Sequence, residues 1–231
     1  IEACFHQEIH TLQQEQEAYG IERPLKTYVI QSFLKGNNLY TQIVNDHKQG
    51  KHLTPTVKIQ RGMATVLAIL MLHARRKIHL DIKPLNLMLL ANPSNNSKKN
   101  VNAPLVTLID LESVQSCDAN GFLIQQRGSI YTTHGYRPPE ASNGETVRYS
   151  RDYDAFSAGR TLLIILSGRP FKYKKEFFFD APSDSQLYED VIEHHKHEIA
   201  TFDRELAEHI SGMLNPDYTL RTTIDKTYYF L

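Results

Sequence analysis

Asp81, Lys83, Asn86 and Asp110 are the residues of this chain whose types and spacing can do chemistry together. Asp81 and Asn86 stand in one Pro-containing stretch, HLDIKPLN at 79–86, and Asp110 follows a separate apolar run, VTLI at 106–109. Two carboxylates, a carboxamide and a lysine brought together by two loops suit metal-assisted phosphoryl transfer. Hard oxygen ligands hold Mg²⁺, and a lysine neutralises charge on the transferring group. The remaining carboxylate would orient and deprotonate an attacking hydroxyl. Each residue alone is an ordinary surface side chain; order and spacing carry the reading.

These residues need elements to position them. Thr54-Pro55 opens a helix, with Thr as cap and Pro at the first position. Its apolar stripe is expected at Ile59, Met63, Val66, Leu67, Leu70 and Met71. Leu105–Ile109 reads as a short strand ahead of Asp110, and 91–104 as a polar surface loop. Residues 113–135 show no sustained period and read as a long loop. Helices are expected over 155–167, 186–197 and 201–214. Upstream, residues 1–18 read as a helix with Phe5, Ile9 and Leu12 on one face, residues 26–34 as a strand, and Gly36-Asn37-Asn38 as a turn. Little strand early and helices late favour an α+β fold without a domain-separating linker.

Composition excludes several classes. The chain has 231 residues, 41% of them hydrophobic and 23% charged, which is globular rather than disordered. Lys+Arg and Asp+Glu are both 26, so no overall basic excess argues for nucleic acid or an anionic membrane. No apolar run approaches the roughly 20 residues of a membrane span. Cys4 and Cys117 form no CxxC, so a reducing compartment is expected, and IEACFHQEIH is not a signal peptide.

The segment HLDIKPLN resembles the catalytic loop of eukaryotic-type protein kinases, H-R-D-x-K-P-x-N. Further motifs follow in family order. DLE (110–112) stands where the family has D-F-G, and THGYRPPE (133–140) resembles the segment that ends the activation loop. DAFSAG (154–159) is similar to the start of the central helix of the large lobe, and MLNPDYTLR (213–221) to the family's closing motif. QSFLKGNNL (31–39) resembles the hinge between the lobes. The resemblance implies a kinase-like fold with a mainly helical large lobe over 35–231. Residues 1–34 would be the remnant of the small lobe and the hinge.

Roles follow from the same resemblance. Asp81 would be the catalytic base, Lys83 would steady the γ-phosphate of ATP, and Asn86 with Asp110 would hold Mg²⁺. The backbone of Ser32, Phe33 and Leu34 would meet the adenine edge, with Gln31 as gatekeeper and Met88 beneath the ring. Glu8 would be the ion-pairing glutamate of the small-lobe helix, and Leu12 would stack with Leu111 and His79. Lys83 points to the Ser/Thr class, so proteins are the expected substrates. The cytoplasm is the expected location, or a host cytosol if the protein is a secreted bacterial effector.

The chain also departs from the family. It has no G-x-G-x-x-G and no V-A-I-K before Glu8, and it begins with Ile; truncation of the small lobe is the expectation. Leu80 replaces the Arg that pairs with an activation-loop phosphate, so phosphorylation at Ser129, Tyr131, Thr132 or Thr133 is not expected to switch activity. Glu112 replaces the glycine of D-F-G and is expected to face solvent or make a local structural contact rather than assist the metal. Glu140 and Arg221 are expected to form a structural ion pair, residues 171–179 a partly packed loop, and His194, His195 and His197 a solvated helix face. Two alternatives stay open: a pseudokinase that binds or scaffolds, and a small-molecule phosphotransferase, against which Lys83 and THGYRPPE weigh.

Overall fold

The structure is a computed structural model. It describes residues 34–90, 105–126, 130–141, 149–170, 172–173, 176–177 and 185–231, with the backbone alone between 172 and 188. These residues belong to the unit Leu34–Leu231. The expected helix over 1–18 and strand over 26–34 lie outside the described residues, as does the loop 91–104.

Helices dominate. They are α1 (Leu39–Lys48), α2 (Pro55–His73), α3 (Arg151–Ser167), α4 (Ser185–Ala200), α5 (Arg204–Met213) and α6 (Ile224–Phe230). Four of their starts are capped by side chains, of which the sequence reading named Thr54. Asn38, Thr54, Ser150 and Asp203 each accept a backbone N–H of the first turn from a side-chain oxygen, which satisfies an otherwise orphaned donor. Pro55 occupies the first turn of α2, where a missing N–H costs nothing. Gly168 ends α3 in the left-handed conformation with φ 70°, open to glycine without a Cβ clash.

α3 is the centre of the molecule. From Tyr153 to Ser167 only Arg160 is more than slightly accessible. Apolar residues surround its axis, including Leu162, Leu163, Ile164, Ile165 and Leu166, so it can only be a core helix. α2, α4 and α5 pack on it. Gly159 sets the approach of α5, because a Cβ there would lie 2.8 Å from that of Met213.

The strands are short. β1 (Gly36–Asn38), β3 (Leu87–Leu90) and β4 (Leu105–Leu108) form an antiparallel sheet in that order, with Asn38 opposite Met88 and Met88 opposite Thr107. β2 (Lys77–Ile78) pairs with β5 (Gln115–Ser116), and β6 (Lys172–Tyr173) with β7 (Glu176–Phe177). Among the described residues no helix is long and apolar enough to cross a membrane.

Several expectations need correction. The stretch 113–135, read as a loop, contains β5 paired with β2, and 171–179, also read as a loop, contains the β6–β7 pair. Gly36-Asn37-Asn38 is a paired strand rather than a turn, because β3 offers it a free edge. The buried stripe of α2 is Gly62, Thr65, Val66, Ile69 and His73, whereas Leu67 and Met71 are exposed. That helix is apolar nearly all round, so period alone does not choose the face. The tertiary partners do: Leu162, Leu166 and Leu231 pack at Gly62 on the buried side. Finally, His195 is buried, with Nδ1 2.7 Å from Ser167 Oγ; only its neighbours His194 and His197 are exposed.

Candidate active site

The site is built outward from Asp154, in the first turn of α3 and fully buried. Its two oxygens accept the backbone N–H groups of His79 and Leu80, each at 2.8 Å. His73 Nε2, at the end of α2, lies 2.9 Å from the same carboxylate. The helix N-terminus adds its own favourable field for a negative group. One carboxylate thus ties α2, α3 and the stretch 79–86. It also holds Leu80 in left-handed backbone, φ 67°. That conformation costs a non-glycine residue roughly 1–2 kcal/mol and persists only where the surroundings impose it.

The imposed bend turns Asp81 toward its partners. Asp81 Oδ1 accepts Thr133 N at 2.9 Å and Thr133 Oγ1 at 2.6 Å. Asp81 Oδ2 accepts Lys83 Nζ at 2.7 Å and Asn86 Nδ2 at 3.0 Å. Lys83 Nζ also donates to Thr133 Oγ1 at 2.6 Å. Four donors meet two oxygens, so the orientation of the carboxylate is fixed. Asn86 Nδ2 donates in addition to Asp81 O at 2.9 Å, which leaves the Asn86 carboxamide oxygen without a hydrogen bond among the described residues.

Asp110 reaches the site through the backbone. Ile109 N donates to Asn86 O at 2.9 Å, and His79 Nε2 lies 3.3 Å from Ile109 O. Asp110 itself is left-handed, φ 58° and ψ 67°, and exposed. No hydrogen bond or ion pair engages its carboxylate among the described residues. The donor set therefore fits Mg²⁺: one free carboxylate and one free carboxamide oxygen, both hard ligands, from adjoining segments. No group of three His, Cys, Asp or Glu side chains gathers among the described residues, which argues against a site closed by protein ligands alone.

The segment downstream of Thr133 is anchored from below. Ser157 Oγ donates to Tyr136 O at 2.8 Å, and Arg137 Nη2 to Thr132 O at 2.7 Å. Arg160 donates to Gly135 O and lies 4.6 Å over the Phe156 ring. Burial pushes its guanidinium down to about 9, which leaves it cationic at neutral pH. Glu140 and Arg221 form the expected ion pair, in a two-pronged contact at 2.8 and 3.0 Å.

The protein kinase domain family matches residues 4–229, nearly the whole chain. This chain belongs to that family. A probable serine/threonine-protein kinase of Streptomyces coelicolor is 24% identical over 143 residues, 62% of this chain. The match spans 19% of that relative's own length.

Within the kinase domain, Asp81, Lys83 and Asn86 lie in mutual contact, and Ile109 brings Asp110 beside them. Met88 is half-buried on β3, and Leu34 is half-buried ahead of β1. Glu8, Gln31, Ser32 and Phe33, with Leu12, lie outside the described residues. Glu112 is exposed, as expected. Leu80 is buried, which its loss of a phosphate contact did not foretell. Sequence reading gave no structural role to Asp154, His73 or Thr133. The motif DAFSAG contained the signal for Asp154, since an acid opening an otherwise apolar helix needs a partner. Thr133 was grouped with modifiable hydroxyls, whereas its Oγ1 is engaged by Asp81 and Lys83.

Proposed function

We propose that the protein transfers the γ-phosphoryl group of ATP to serine or threonine hydroxyls of other proteins. The observation that carries this reading is the Thr133 hydroxyl, lodged 2.6 Å from both Asp81 Oδ1 and Lys83 Nζ. A hydroxyl placed there meets a proton acceptor on one side and a cation on the other, the surroundings an attacking alcohol needs. On this reading Asp81 orients the acceptor hydroxyl and takes its proton, and Lys83 offsets charge on the phosphoryl oxygens. Asn86 and Asp110 hold Mg²⁺ through their free oxygens, and Asn86 also fixes Asp81, so ligand and base share one support. Mg²⁺ held by Asn86 and Asp110 would neutralise charge that develops on the phosphoryl oxygens.

For the nucleotide we assign Gln31, Ser32, Phe33 and Leu34 to the adenine edge, Met88 to the floor of the pocket and Glu8 to an ion pair that positions phosphate. Residues 1–34 are then small lobe and hinge, and residues 35–231 the large lobe. Lys83 two positions after Asp81, and the likeness to the Streptomyces relative, support the Ser/Thr class. Two cysteines without a CxxC support a reducing cytosol, that of the cell or of a host. A non-catalytic binding module is the second reading; Leu80 and Glu112, both departures from the family motifs, favour it.

The test is transfer by the intact protein supplied with ATP, Mg²⁺ and peptide acceptors. Asp81→Asn should cut transfer by about 10²–10⁴-fold while nucleotide affinity holds, because the carboxylate acts on the incoming hydroxyl. No transfer by wild type with Mg²⁺ or Mn²⁺ would favour the binding module. Transfer to small alcohols alone would favour a small-molecule phosphotransferase.

A further inference from the structure

Part of the apolar stripe expected on α2 faces outward. Leu67 and Met71 are 44% and 52% exposed, and Ala74, just past the helix, is exposed as well. With the half-buried Met63 and Leu70 they recur at three- and four-residue steps, so they share one side of the helix. The other side, around Gly62, already meets Leu162 and Leu166 of α3. At its C-terminal end the outward stripe runs into a cavity of about 770 Å³. Leu70 and Ala74 line that cavity from α2, Tyr228 and Tyr229 from α6. Tyr229 is 87% exposed, so the apolar surface continues from one helix to the next.

Charge around this surface is unpaired and in excess on one side. Arg75 and Arg76 are exposed where α2 ends, and Arg76 and Arg151 border the cavity. Arg75 Nη1 donates to Met71 O at 2.7 Å, and Arg151 Nη2 to His73 O at 2.9 Å, which fixes two guanidinium groups at the last carbonyls of α2. Arg76 makes no side-chain hydrogen bond among the described residues. The acids at the cavity are Asp152, which accepts Ser150 Oγ at 3.4 Å, and the exposed Asp225. None of these five residues forms an ion pair among the described residues. Three cations face two anions, beside apolar side chains that nothing covers.

We propose that this face of α2 and the cavity beside it form a docking site for an acidic amphipathic helix of a partner protein. Apolar side chains three and four residues apart on the partner would cover Leu67 and Met71, as packed helices cover one another. Carboxylates beside them would meet Arg75, Arg76 and Arg151. The arginine excess sets the sign of the partner's charge. The concave end sets its kind, because a recess accepts projecting side chains and a lipid surface has none. No residue of this face belongs to the Asp81 site. The proposal therefore stands or falls independently of the phosphoryl-transfer reading, and adds to it a second place at which a protein can be held.

Fluorescence anisotropy on the intact protein tests the site with two labelled helical peptides, one of leucine and glutamate and one of leucine and lysine, with leucine on one face of each. The Leu/Glu peptide should bind at least about tenfold more tightly than the Leu/Lys peptide, and added salt should narrow the gap. Met71→Glu should weaken binding of the Leu/Glu peptide at least about tenfold. Arg76→Glu should weaken it too while strengthening binding of the Leu/Lys peptide. Both side chains are exposed, so melting curves should stay near wild type. Leu67→Gln is the second apolar variant should Met71→Glu fail to fold. Equal binding of the two peptides, or binding that ignores all three substitutions, overturns the site. Absence of saturable binding by wild type up to about 1 mM peptide does the same. Binding to phosphatidylcholine–phosphatidylserine vesicles in place of peptide, lost in Met71→Glu, would give the face to a membrane. Self-association lost in that variant would give it to a second copy, and either result overturns the docked helix.

Discussion

Two buried polar networks of this kinase domain use similar groups and end differently. Around Arg221 every donor is spent. Its Nε reaches Asn215 O, and its two terminal nitrogens reach Glu140, Asp152 O and Pro216 O. Around Asp81 the carboxylate is fully engaged too, but the network ends in the Asn86 carboxamide oxygen and the exposed Asp110 carboxylate, with no partner among the described residues. The first network closes on itself and holds the Glu140 segment against the region after α5. The second leaves acceptor capacity pointing outward. Buried polar groups are satisfied wherever their only task is to hold the fold. The Asn86 carboxamide oxygen and the exposed Asp110 carboxylate instead have room for a ligand, the place the proposed function gives to Mg²⁺.

Substitutions can break this contrast from either side. The largest effect is expected at the open end. Asp110→Ala should weaken Mg²⁺-dependent nucleotide binding by at least about a hundredfold, since even an outer partner of a metal ligand is worth 10–100-fold. Its thermal midpoint should stay near wild type, because the carboxylate supports no described contact; titration calorimetry and a melting curve read the two quantities. At the closed end the pattern should invert. Arg221→Met should cost about 3–5 kcal/mol of stability by stranding Glu140, with part recovered in the double variant Arg221→Met, Glu140→Gln. Urea unfolding measures that loss, and metal-dependent nucleotide affinity of the folded fraction should not change.

A third buried site sharpens the comparison through pH. Burial, with the nearby His194 and Arg169, pushes His195 from 6.5 down to about 3. Between those values the unfolded chain holds a proton that the folded one refuses, so stability falls as pH drops from 6.5 toward 3. The slope from this one group is up to about 1.4 kcal/mol per pH unit. His209, also lowered by burial, adds a term of the same sign. His195→Gln should remove one proton's worth of slope and leave the His209 part in place, read from melting curves between pH 4 and 7. The smallest effect is expected at Glu112, which is exposed beside the open network. Glu112→Gly should shift stability by no more than about 0.5 kcal/mol. A loss of Mg²⁺ affinity comparable to that of Asp110→Ala would instead make Glu112 a third ligand and redraw the boundary of the site.

Much of this was written in the chain. Thr54-Pro55 marks where α2 begins, because a cap satisfies N–H groups that its own residues expose, whereas α3 begins at Arg151, ahead of the helix expected from 155. The strand before Asp110, the composition of α3 and the Glu140–Arg221 pair were legible for similar local reasons or through motif order. The spacing of Asp81, Lys83 and Asn86 showed that they could meet, since five residues around a proline cannot carry them far apart. Sequence did not show which face of α2 is buried, because the apolar run from Gly62 to Leu72 has no preferred side until it meets Leu162 and Leu166 of α3. Nor did it show that His195 leaves a polar helix face for Ser167, that Thr133 closes on Asp81 across 52 residues, or that Leu80 is buried with Ile78, Cys117 and Tyr153. Each of those outcomes depends on a partner distant in the chain. Local sequence determines what a residue can do and how the backbone near it turns. Which donor finally meets which acceptor, and which methyl groups leave water together, is decided only when α3 brings the segments to one place.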